Sequence, residues 1–75
     1  MYLYFQNSYG KHRLIGTPDT PEESFKIFSD FCKERNFKIY YIRTWGNPER
    51  KTYDVGSHTE FFVETTEELP EEELE

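Results

Sequence analysis

The chain has 75 residues, with 15 carboxylates against nine Lys and Arg for a net charge of −6. At this length only about 60% of the unfolded surface is buried on folding, which excludes a second core. A single Cys excludes an internal disulfide and points to a reducing compartment, the cytoplasm, and no apolar run approaches the roughly 20 residues of a membrane helix. No leader-type segment is expected at the start. Aromatic residues are 19% of the chain. Burying one Phe is worth roughly 1.5–3 kcal/mol, so the seven present can build a small core.

Residues 1–6 alternate Leu3 and Phe5 with Tyr2 and Tyr4, the period of a strand. Asn7, Ser8 and Gly10 supply turn chemistry, and residues 11–15 return as the second arm of a hairpin. The next stretch, 20–37, is an amphipathic helix. Thr20 caps it, Pro21 takes the first helical position and Glu23 closes a Thr-x-x-Glu capping box. Phe25, Phe28, Phe31 and Cys32 then recur at spacings of three and four on one face, and Asn36 stops the helix.

Residues 38–45, with Ile39-Tyr40-Tyr41-Ile42 at their centre, read as the next strand, broken by Gly46-Asn47-Pro48. Residues 51–55 and 58–65 form two further arms joined through Gly56-Ser57. The expected fold is α+β: an antiparallel sheet of four to five strands with one helix on one face, in the order β-β-α-β-β-β. In the last strand, alternation sets Thr59, Phe61, Val63 and Thr65 against the helix and turns Glu60, Phe62 and Glu64 away from it. A single domain is expected over 1–65. Residues 66–75, a charge run interrupted by Pro70, form an acidic tail expected to stay mobile.

His58, Glu60 and Asp54 are the only grouping with the elements of a general base, and a solvated hydrogen bond beside a turn is the better reading of them. Cys32 among Phe residues reads as a buried thiol, and the scattered His and Cys make no metal spacing. With no glycine-rich phosphate loop either, neither enzyme chemistry nor a cofactor is expected.

Binding is the stronger theme. One helix covers one face of a sheet, which leaves Tyr2, Tyr4, Phe62 and either Tyr40 or Tyr41 as candidates for an exposed contact face. That face suits a protein partner or a second copy of the chain. Residues 1–51 hold all nine basic residues, whereas 52–75 hold nine carboxylates and no base. Asp54, Glu60, Glu64, Glu67 and Glu68 open this acidic series, which can imitate a phosphate backbone at a basic surface. Lys11, Arg13, Lys38, Arg43, Arg50 and Lys51 interleave with aromatics as in single-stranded nucleic-acid platforms. The negative total charge and the absence of an RNP-type motif weigh against direct nucleic-acid binding.

The stretch Tyr53-Asp54-Val55-Gly56-Ser57-His58-Thr59-Glu60-Phe61-Phe62 resembles short uncharacterised proteins encoded by bacteriophages and mobile elements. Small size, aromatic content and acidity are shared with phage inhibitors of host defence, the anti-CRISPR proteins among them. The resemblance implies inhibition of a host nucleic-acid enzyme or defence complex by occupying a surface, with no membrane involved.

Overall fold

The computed structural model describes residues 1–57 and 59–69. Its elements run β1 (Tyr2–Gln6), β2 (His12–Gly16), α1 (Pro21–Glu34), β3 (Arg43–Asn47), β4 (Arg50–Asp54) and β5 (Phe61–Thr65). All four strand pairings are antiparallel and the sheet order is β2-β1-β5-β4-β3. The last strand thus enters the middle of the sheet, between the N-terminal hairpin and the β3–β4 hairpin.

The helix ends are fixed by the chemistry the sequence carries. Thr20 Oγ1 accepts from the Glu23 N–H at 3.2 Å, and the Glu23 carboxylate reaches back to the Asp19 N–H at 2.8 Å. At the far end Asn36 takes a left-handed φ of 58°, the Phe37 N–H donates to the Cys32 carbonyl at 2.8 Å and the Asn36 N–H to that of Lys33 at 3.4 Å. This is a Schellman motif, and it carries Phe37 into the core beside Phe5, with ring centroids 6.1 Å apart.

The core is a stack of rings between helix and sheet. The register aligns Phe5, Phe62 and Tyr53 across three strands. Phe28 sits over the last two, 5.0 Å from Phe62 and 5.2 Å from Tyr53 between centroids. Phe62 and Glu64 therefore meet the helix, and Phe61, Val63 and Thr65 point the other way, the reverse of the alternation expected from sequence. The reason is polar. Ser24 on the helix donates its hydroxyl to Glu64, and the Tyr53 hydroxyl donates to the same carboxylate oxygen at 3.5 Å. A carboxylate that pattern alone assigns to water is thereby seated in the core.

Tyr53 gives this cluster a pH dependence. Burial first, then the charge of Glu64 and its hydrogen bond, push the phenol above its usual 10.0. The folded state then holds this proton more tightly than the unfolded state. Its contribution is complete below about pH 10 and is lost as pH rises through the folded value. Urea midpoints are expected to fall more steeply above about pH 10 in the parent than in Tyr53→Phe, which gives up a neutral-pH hydrogen bond worth about 0.5–1.5 kcal/mol. Parallel profiles would show that the phenol is not linked to folding.

The far face is not bare at its centre. Tyr4 is 0% exposed because residues 66–69 fold back across it. The Leu69 N–H donates to the Tyr4 hydroxyl at 2.7 Å, and that hydroxyl donates to the Leu69 carbonyl at 3.3 Å. The Thr66 N–H also reaches the Glu49 carbonyl at 3.0 Å, and Thr65 Oγ1 accepts from the Glu67 N–H at 3.1 Å. Residues 66–69, expected to open the acidic tail, thus lie against the sheet through these hydrogen bonds. Residues 70–75 lie outside the described residues.

Candidate interaction surface

The segment expected to be a strand, 38–45, enters the sheet only at Arg43, and that strand runs on to Asn47. The chain leaves the helix, drops Phe37 into the core, and runs past the end of β4, where the Tyr40 N–H donates to the Val55 carbonyl at 3.0 Å. This path crowds Tyr40 against Gly56, whose φ of 106° and missing side chain make room for the ring. Ile39, Tyr40, Tyr41, Ile42 and Trp45 are all exposed, Tyr40 at 71% and Trp45 at 45%. Five exposed large apolar side chains within seven residues make an apolar strip along the sequence, a high density for a chain this small.

Arg43 organises the strip. It donates to the Asp54 carboxylate at 3.2 Å, and its guanidinium carbon lies 5.9 Å from the Tyr41 ring centroid and 5.7 Å from that of Trp45. Trp45 in turn stands edge-on to Phe61 at 5.8 Å. Asp54 is fully buried and also accepts the Gly56 N–H at 2.9 Å, so an interior carboxylate pins a surface cation between two aromatic rings. Arg43, Thr44 and Trp45 line a broad, shallow depression of about 590 Å³.

The strip also borders an open strand edge. Among the described residues β3 pairs only with β4, and all five of its residues are exposed. The opposite edge, β2, is blunted: its ladder with β1 shifts register between Leu3 and Tyr4, Arg13 projects from it, and Ile27 of the helix packs over Gly16. At β3 only Arg43 carries charge, and Asp54 offsets it. Gly46, with φ of 112° and a position where any Cβ would collide with the Arg50 carbonyl oxygen, keeps the hairpin tight without disturbing that edge.

The residues singled out from sequence are dispersed by this geometry. Tyr40 is fully in the strip. Tyr2 is half-buried on the far face, and Glu67 and Glu68 are exposed on the segment that follows β5. Tyr4, Phe62, Asp54 and Glu64 are interior and are withdrawn as contact residues: the first lies under residues 66–69, the second under the helix, and both acids are held by internal partners. His58 lies outside the described residues. Glu60 and Asp54 do not converge, because Asp54 pairs with Arg43 on the far face whereas Glu60 lies near enough to the helix to act on Cys32. Burial, and then the Glu60 charge, raise the Cys32 thiol above its usual 9.0, which leaves little thiolate for chemistry. Ile39, Ile42 and Trp45 were missed as contact residues, and the available signal was the apolar run 39–42 followed three residues on by the only Trp.

Compared with protein-family models, curated proteins and solved structures, the chain matches none, so the surface is interpreted from its own residues. Among the described residues no helix is long and apolar enough to cross a membrane.

Proposed function

We propose that this chain is a non-catalytic binding protein that docks a protein partner along residues 39–45 and the β3 edge. The observation that carries this reading is the exposure of Ile39, Tyr40, Tyr41, Ile42 and Trp45 beside an unblunted strand edge. Leaving such a surface in water forgoes the transfer free energy that drives burial, and an edge strand invites another strand. The narrower role implied by the phage-protein resemblance, inhibition of a host defence or nucleic-acid enzyme, is supported only by small size and a ready contact surface. With Asp54 and Glu64 interior, mimicry of a phosphate backbone falls to Glu67, Glu68 and the residues after them.

The test is site-specific photo-cross-linking in the native cell, with a benzophenone side chain at Tyr40 or, as control, at Tyr9, which is 83% exposed on the turn between β1 and β2. A discrete protein adduct is expected from position 40 and none from position 9. Equal labelling at both positions, or none at either, would overturn the docking reading.

A further inference from the structure

We infer that the β3 edge takes an extended polypeptide strand bearing carboxylates, added to the sheet as a sixth strand. This inference rests on the docking surface proposed above and specifies the chemistry of its occupant.

Two observations select that chemistry. The first is charge. Residues 35–51 hold five cations against Glu49 alone, whereas the rest of the chain holds four cations against fourteen carboxylates. The stretch carrying the strip is thus basic within an acidic protein: with Arg43 offset by Asp54, it still sets Arg35, Lys38, Arg50 and Lys51 against Glu49. Lys38 at one end of the strip and Arg50 at the other are exposed, and a screening length of about 8 Å at physiological salt confines their effect to whatever lies directly on the edge. A second copy would bring like-charged hairpins together, so charge disfavours self-pairing.

The second observation is the shape of what is offered. A strand edge supplies main-chain donors and acceptors in a row, which a polypeptide satisfies and a nucleic acid does not. Ile39 and Ile42 are aliphatic and suit apolar side chains better than bases. Arg43 already stands over the Tyr41 and Trp45 rings, so its guanidinium competes with a stacking base for both. An added strand places alternate side chains on the Arg43–Trp45 side, where carboxylates find Lys38 and Arg50 at the two ends and an apolar residue finds the Trp45 ring.

The experiment uses the full chain and its only tryptophan as reporter. A short peptide alternating glutamate with valine is titrated while Trp45 emission and the exchange of the β3 amides are followed. Its lysine–valine counterpart, the glutamate peptide N-methylated at alternate residues and an oligothymidylate are run in parallel. The glutamate peptide is expected to change Trp45 emission, to protect the β3 amides, and to bind about tenfold more weakly to Lys38→Glu/Arg50→Glu or at high salt. The lysine and N-methylated peptides are expected to fail. Equal binding of the N-methylated peptide overturns strand addition. Tighter binding of the oligothymidylate makes the occupant a nucleic acid, and β3 protection that rises with protein concentration alone makes it a second copy; either overturns the inference. A position-40 adduct from the cell combined with no response to the glutamate peptide would overturn the acidic-strand inference while leaving the docking surface standing.

Discussion

Phe28→Ala is expected to lower the free energy of unfolding by about 3–5 kcal/mol, the range for removing a buried aromatic ring from a packed core. Phe28 is 1% exposed and touches three rings, Phe25, Tyr53 and Phe62, at centroid distances of 5.3, 5.2 and 5.0 Å. A domain of this size has only about 4–11 kcal/mol in hand, so the variant is expected to populate the unfolded state detectably in dilute urea. Phe25 supplies the control. It belongs to the same helical stripe but is 48% exposed, and Phe25→Ala is expected to cost less than about 1 kcal/mol. Urea titrations followed by far-ultraviolet circular dichroism, with the slope unchanged between variants, make the comparison. Equal losses at the two positions would mean that the helix does not present the face described.

That contrast marks what the sequence discloses. The capping box at Thr20, the Phe spacing and the Asn36 stop are local signals, each acting within a few residues, and each appears where the pattern places it. The α+β class and the element order follow from the same local logic. What does not follow is decided between segments far apart in the chain. Alternation in β5 is readable, but which parity faces the helix depends on Ser24, forty residues earlier, offering Glu64 a hydroxyl. Tyr4 reads as a surface ring until Leu69, sixty-five residues later, closes over it. Residues 39–42 have the composition of a strand interior, yet Phe37 is drawn into the core and the chain joins the sheet at its edge, which leaves those residues exposed. Composition identified an unusual density of rings; only the strand order shows which rings face outward.

The buried Glu64 cluster leads to the second large effect, and the sign of its coupling is informative. Ser24 is 0% exposed and Glu64 4%, so removing either partner leaves the other polar group facing apolar neighbours. Ser24→Ala is expected to cost about 1.5–3 kcal/mol, the range for a hydrogen bond to a charged group, and Glu64→Leu about 1–3 kcal/mol because two hydroxyls lose their acceptor. Combining the changes removes carboxylate and serine hydroxyl together and leaves an apolar contact between helix and β5. The double variant is therefore expected to be less destabilised than the sum of the singles by roughly 1–3 kcal/mol, while staying below the parent because the Tyr53 hydroxyl still lacks its acceptor. Thermal and urea unfolding of the four proteins closes the cycle. Simple additivity would mean that Ser24 and Glu64 do not interact across the helix–sheet interface, and the parity of β5 would then need another cause. A double variant that turned the other face of β5 to the helix would show that the pair directs the parity, whereas one that kept it would assign the parity to the rings packed around Phe62.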